Sequence, residues 1–211
     1  MSDTAVWDRQ FTDQSACRWF PNEELVRFLG RTYGQVVDRP GLGLTAAEIG
    51  CGCGGNLVAL AAYGFGVDGY DISQTGLHLA KKHLAWCGMG GHVKLVSYAA
   101  PDPLPVTDGY YNLIVDIQCI QHLNKQDHMA MYQQILRALK PGGLFFTYHW
   151  DEGQHEILFP DHPELGAMDG VAMIRCLDLA GFIRKEMSLV SRGEQHGANG
   201  HWLSITSRKP R

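Results

Sequence analysis

From about residue 45 onward, short apolar runs alternate with stretches in which apolar residues recur every three or four positions. The runs Ala46–Ile49, Val67–Tyr70, Val93–Val96, Leu113–Ile117 and Leu144–Tyr148 are bounded by glycine or proline and predict buried strands. Between them lie helical patterns. Ser73 predicts an N-cap, with Leu77, Ala80 and Leu84 following on one face. Met131, Ile135, Leu136 and Leu139 repeat that spacing, and Lys140-Pro141-Gly142-Gly143 stops the helix. Strand and helix in alternation predict a doubly wound, mostly parallel sheet with helices on both faces.

The two ends depart from the alternation. Asn22 to Arg31 predicts a helix whose Leu25, Phe28 and Leu29 form one apolar face, and Asp38 to Gly43 reads as a loop into the first strand. Phe182–Val190 and His201–Ser207 read as an antiparallel pair joined by a polar turn, Ser191–Gly200. The expected organisation is an N-terminal helical cap over residues 1–44 and a single domain over 45–211. No internal repeat is present.

The chemistry concentrates in Glu48-Ile49-Gly50-Cys51-Gly52-Cys53-Gly54-Gly55-Asn56, which follows a predicted strand and opens a predicted helix. Glycines let the chain turn sharply and let a ligand approach the main chain, and a helix start supplies unpaired N–H groups. Gly50, Gly52 and Gly55 satisfy the dinucleotide pattern, whereas Gly50, Gly52 and Gly54 suit a nucleoside without a pyrophosphate. Glu48, just before the turn, would repel a pyrophosphate and welcome an ammonium group. Asp71, 19 residues beyond Gly52 at the end of the second strand, can accept hydrogen bonds from both ribose hydroxyls. The ligand so described is an amino acid joined to a nucleoside.

Composition narrows the rest. The chain has 211 residues, 45% hydrophobic and 19% charged, which is ordinary globular composition for one domain. A net charge of −4 argues against a large nucleic-acid surface. The first residues show neither a basic flank nor an apolar run, and no stretch has the length of a membrane span. The six cysteines form no C-x-x-C pair and read as reduced thiols, so a cytoplasmic location is expected.

The chain resembles the class I S-adenosylmethionine-dependent methyltransferases, in particular their small-molecule members. The resemblance runs over roughly residues 46–207. It rests on Glu48-x-Gly50-x-Gly52-x-Gly54, Tyr70-Asp71-Ile72-Ser73, Leu104-Pro105 with Tyr111-Asn112-Leu113-Ile114, and Leu136-x-x-Leu139-Lys140-Pro141-Gly142-Gly143. It implies a Rossmann-like sheet of seven strands with the last antiparallel, and S-adenosylmethionine as cofactor, released as S-adenosylhomocysteine. By the same resemblance Glu48, Gly50, Cys51, Gly52 and Asn56 would hold the methionine end. Asp71 would take the ribose, and Ile72, Ala99 and Ala100 would surround the adenine. Asp116 and Gln118 would line the floor near the methyl. The leading segment with Trp7 and Trp19 would cover the cofactor and help shape the acceptor pocket.

The acceptor crevice is expected at the carboxyl ends of the fourth and fifth strands. His149 and His122 lie there as candidate bases, since histidine takes a proton near neutral pH. Tyr148 and Trp150 could stack on an acceptor. Seven of the ten histidines fall between 122 and 201. His149, His155 and His162, with Asp151, Glu152, Glu156 and Asp161 among them, lack zinc-ligand spacing, so no metal is expected. The expected function is methyl transfer to a small molecule, with O-methylation of a polar metabolite, sugar derivative or natural-product intermediate favoured. The alternatives are an RNA or protein N-methyltransferase, a nicotinamide-dependent oxidoreductase, and a non-catalytic module that binds the same cofactor. Glu48 and the absence of a Tyr-x-x-x-Lys pair argue against the oxidoreductase.

Overall fold

The computed structural model describes residues 4–34, 42–150, 170–195 and 198–211. Along the chain come α1 (Thr4–Thr12), α2 (Glu23–Tyr33), β1 (Thr45–Ile49), α3 (Gly55–Ala62), β2 (Gly66–Asp71), α4 (Gln74–Trp86), β3 (Val93–Ser97) and β4 (Tyr111–Ile117). A short 3-10 turn (Ile120–His122) leads to α5 (Lys125–Ala138), β5 (Leu139–Trp150), α6 (Gly170–Ala180), β6 (Ile183–Gln195) and β7 (Ala198–Arg208). The strands lie in the order β3-β2-β1-β4-β5-β7-β6. β1 pairs parallel with β2, and β2 with β3. β7 runs antiparallel to both β5 and β6. The predicted mostly parallel, Rossmann-like sheet with a reversed last strand is what the chain forms.

The chain divides into two compact units. One gathers residues 2–99 and 111–115, the other residues 100–110 and 116–211. In the first, the Asn22 side chain caps α2 by accepting from Glu24 N at 2.9 Å and Leu25 N at 3.2 Å. The predicted face of Leu25, Phe28 and Leu29 is buried. Ser73 caps α4 as predicted, accepting from Gly76 N at 3.0 Å, and Leu77, Ala80 and Leu84 are buried. α3 packs on β1 and β2, and α4 on β2 and β3. In the second unit α5 packs on β5 and α6. Its core includes Met131, Ile135, Phe145 and Phe182. The Arg137 guanidinium straps the preceding loop, donating to Leu104 O at 2.8 Å and Val106 O at 2.9 Å and pairing with Asp108 at 2.6 Å.

Three elements differ from expectation. α1 has no predicted counterpart, because Phe11 is its one buried side chain and no apolar stripe results. Leu139 begins β5 instead of ending α5, and β5 starts well before Leu144. The stretch expected to be a long polar turn is mostly strand: Gln195 pairs with Ala198, and the two residues between lie outside the described set. Ladder hydrogen bonds come from the backbone, so polar side chains do not stop a hairpin from extending. The expected loop around Asp38 lies largely outside the described residues, as do His155, His162, Asp151, Glu152, Glu156 and Asp161. No helix among the described residues is long and apolar enough to cross a membrane.

Candidate active site

The turn after β1 is built on backbone geometry that glycine alone accepts without strain. Gly50, Gly52 and Gly54 have φ of 73°, 49° and 85°. Gly50 N and Cys51 N donate to Tyr70 O at 2.7 and 3.0 Å, which ties the turn to the end of β2. Asp71 then locks it from the side chain. One carboxylate oxygen accepts from Gly52 N at 2.7 Å, and the other from Ser73 N at 2.8 Å. Burial raises the pKa of Asp71, and the hydrogen bonds from Ser73 and Gly52 pull against it. Ile72 and Ala99 are half-buried, as is Ala100 in the other unit.

Glu48 sits near the end of β1, buried, and accepts from Asn56 Nδ2 at 2.7 Å. Asn56 Oδ1 in turn accepts from Asn22 N at 2.7 Å. Asn56, expected to meet the cofactor, therefore bridges the Glu48 carboxylate to the cap of α2. Substituting Asn56→Ala removes the partner of a part-buried main-chain N–H and loosens Glu48. Urea unfolding should show a loss of about 1–3 kcal/mol; an unchanged midpoint would mean water replaces both bonds.

The N-terminal segment is fastened to this site at four points. The Asp8 carboxylate accepts from Ser73 Oγ at 2.5 Å and Thr75 N at 3.1 Å, so α1 shares the capping of α4. The two bonds hold Asp8 below the usual carboxylate range. The Phe11 ring lies where a side chain on Gly52 would meet it at 3.0 Å. Arg18 N donates to Cys53 Sγ at 3.1 Å. At Gly55 an added Cβ would stand 2.3 Å from Arg18 O, so only glycine admits this close approach. Trp7 is half-buried on α1. Trp19 is 37% exposed and meets His83 edge-on at 5.3 Å. Cys51 and Cys53 are buried, and desolvation pushes the Cys53 thiol up to about 11. Both behave as packing residues. Asp8 and Phe11 are the contributors that sequence reasoning missed.

In the second unit the residues leaving β4 and β5 converge. Asp116 is buried and turns inward. It accepts from Cys119 N at 3.0 Å, Ile120 N at 3.1 Å and Thr147 Oγ1 at 2.8 Å. Desolvation raises its pKa to about 6 against those three bonds. It lines a cavity of about 10 Å³, room for one water, with Ile120, Gln121, His128, Tyr132, His149 and Met173. His149 is 3% exposed and donates from Nδ1 to Trp150 O at 2.8 Å. Tyr148 is buried and offers its carbonyl to Gln118 N at 2.8 Å. His122 is half-buried, with Trp150 edge-on to it at 5.4 Å. Gln121 Oε1 accepts from Trp150 N at 2.9 Å, which directs Gln121 Nε2 toward His122 Nε2 at 3.4 Å. Asp116, His149, His122, Gln118, Tyr148 and Trp150 thus form one polar and aromatic cluster. Glu48, Gly50, Cys51, Gly52, Asn56 and Asp71 form another.

Residues 46–143 match the family model described as a methyltransferase domain. The 24-methylenesterol C-methyltransferase 2 of Oryza sativa subsp. japonica is 30% identical over 105 residues, 49% of this chain and 28% of that protein. The ubiquinone biosynthesis O-methyltransferase of Thiobacillus denitrificans is 31% identical over 110 residues, 51% of this chain and 44% of that protein. The chain spans less than half the length of either curated relative. The solved structure of geranyl diphosphate methyltransferase with GPP and sinefungin superposes with a TM-score of 0.67 at 16% identity, covering 84% of this chain and 76% of that one, a likeness of fold. Residues 46–143, which hold the glycine turn locked by Asp71, are thus similar to a methyltransferase domain, and the seven-stranded sheet has the fold of the class I S-adenosylmethionine-dependent methyltransferases.

Proposed function

We propose that the chain transfers a methyl group from S-adenosylmethionine to an oxygen of a small polar acceptor. The observation that carries the cofactor half is the pair of buried carboxylates, Glu48 and Asp71, at the ends of adjacent parallel strands with the positive-φ glycine turn between them. Their chemistry fits an ammonium group and a ribose diol, while two carboxylates beside a glycine turn disfavour a pyrophosphate. Glu48 would hold the amino-acid end, Gly50, Cys51 and Gly52 would pass the chain of the cofactor along the turn, and Asp71 would take the ribose. Ile72, Ala99 and Ala100 would pack around the adenine. Residues 4–34 would act as the cover, fastened through Asp8 and Phe11.

When bound, the cofactor supplies a sulfonium-activated methyl, so the protein's part is binding and alignment. Alignment alone can lower the barrier by roughly 7–11 kcal/mol. Of the two histidines, His122 would be the better placed to take an acceptor proton, because it is half-buried rather than enclosed; its Nε2 would exchange the 3.4 Å bond from Gln121 Nε2 for that proton. His149 is enclosed and fixes the Trp150 backbone instead. The aromatic face of Trp150 and the half-exposed amide of Gln118 would meet the acceptor. The relatives named above methylate carbon and oxygen respectively, by their names, so the choice of oxygen rests on this cluster. Calorimetric titration with S-adenosylhomocysteine should show saturable one-to-one binding, and NAD should show none. NAD binding, or no binding of either, would overturn the reading. Mass spectrometry of the methylated product decides the acceptor atom, and an N-methyl product would refute the oxygen assignment.

A further inference from the structure

We infer that Gln118 is a specificity-determining residue that selects acceptors bearing an anionic or carbonyl oxygen; the inference rests on the methyltransferase reading above and deepens it. Gln118 has φ of 61°, a left-handed backbone shared by just one other non-glycine residue among those described. Such a conformation in a residue with a long side chain is a feature of functional sites. Its N–H is bound to Tyr148 O, so the backbone there is held from β5. One end of its carboxamide lies 2.7 Å from Trp150 Nε1 and 3.3 Å from Trp202 Nε1. Trp150 and Trp202 are directly paired across β5 and β7, which brings both indoles to one point.

An indole N–H is a donor and never an acceptor. Two of them therefore fix which end of the amide is which. The oxygen faces the tryptophans, and the NH2 group is turned away by the planar geometry of the amide. Gln118 is half-buried, so that NH2 is within reach of a ligand. It follows the carboxyl end of β4, where ligands bind in open parallel sheets. Two neighbouring acceptors are engaged internally: Asp116 by Cys119, Ile120 and Thr147, and Gln121 Oε1 by the Trp150 backbone. The group that Gln118 offers outward is a donor. Its complement is a carboxylate, phenolate or carbonyl oxygen, and an ammonium-bearing acceptor would meet two N–H groups of the wrong polarity.

The test uses the full chain, free and with S-adenosylhomocysteine, and three size-matched probes: benzoate, benzylamine and benzyl alcohol. Binding is followed by calorimetric titration in every variant, and in the parent also by the side-chain amide resonance of Gln118 in 15N-labelled protein, assigned by its loss in Gln118→Gly. Glycine suits the left-handed backbone, so this variant keeps the fold while removing the donor. Benzoate should shift that resonance and bind about tenfold tighter than benzylamine, with benzyl alcohol between them. Gln118→Gly should abolish the preference, and Gln118→Glu should reverse it toward benzylamine. Equal affinity for benzoate and benzylamine, no saturable benzoate binding, or a preference that survives in Gln118→Gly would overturn the inference. If S-adenosylhomocysteine binds and the benzoate preference is absent, the assignment of Gln118 falls alone. If S-adenosylhomocysteine does not bind, the methyltransferase reading falls, and the probe comparison on the free protein still decides the role of Gln118.

Discussion

Asp71→Ala should lower affinity for S-adenosylhomocysteine by two to four orders of magnitude. Each of two hydrogen bonds from ribose hydroxyls to an ionised carboxylate contributes about 1.5–3 kcal/mol, so losing both weakens binding by about 3–6 kcal/mol. The same carboxylate accepts from Gly52 N and Ser73 N, so alanine also leaves two main-chain donors without their partner. The effects separate experimentally. Loss of the internal bonds appears as a lower urea midpoint in the free protein, whereas loss of the ribose contact appears in the calorimetric titration far below that midpoint. Asp71→Asn keeps one oxygen for the main-chain donors and replaces the other with a donor. One of the two main-chain N–H groups then faces an NH2, so this variant should lose about 1–3 kcal/mol of stability and still bind weakly. Wild-type affinity in Asp71→Ala would remove Asp71 from the cofactor site and leave it as a brace for the turn.

The parts of this site that were legible in the sequence are those that depend on local rules. Ser73 and Asn22 cap their helices because a short polar side chain can reach back to the next N–H groups. The glycine turn is readable because the left-handed φ values of Gly50, Gly52 and Gly54 need those residues. Asp71 is readable because a carboxylate at the end of the second strand has a fixed relation to such a turn. α6 also carries a readable signal, with Met173, Leu177 and Ala180 buried at spacings of four and three.

What was not legible depends on partners distant in sequence. Asn56 is separated by 34 positions from Asn22, whose N–H occupies its oxygen. Asp8 caps a helix that begins 66 residues later, at Gln74. Neither relation leaves a periodicity. His149 and Tyr148 looked available because they end a strand at the right side of a sheet; the structure encloses both, since β7 pairs along that stretch of β5. Gln118 lies at the opposite extreme. Its position at a strand end was visible, but the direction of its amide is set by Trp202, which lies far along the chain.

Asp116→Asn should make the protein more stable at neutral pH and remove a pH dependence that the parent shows. Burial raises the Asp116 carboxyl from an ordinary 3.8 to about 6, despite hydrogen bonds from Ile120, Thr147 and Cys119. The folded state therefore binds this proton more tightly than the unfolded chain does. For a raised acid the favourable contribution is complete below the unfolded value and is lost as pH rises through the folded one. Between about pH 4 and pH 6 the parent should thus lose roughly 3 kcal/mol through this one group. An asparagine has nearly the same shape. Its oxygen can accept from Cys119 N and Ile120 N, and its NH2 faces the Thr147 hydroxyl, which can turn to accept. No charge is then buried at any pH. Urea unfolding of both proteins at pH 4 and pH 7.5 provides the test. The gap between them should be small at the lower pH and widen by about 3 kcal/mol in favour of Asp116→Asn at the higher one. Parallel profiles would mean that Asp116 titrates near its ordinary value and that water reaches the cavity it shares with His128 and His149.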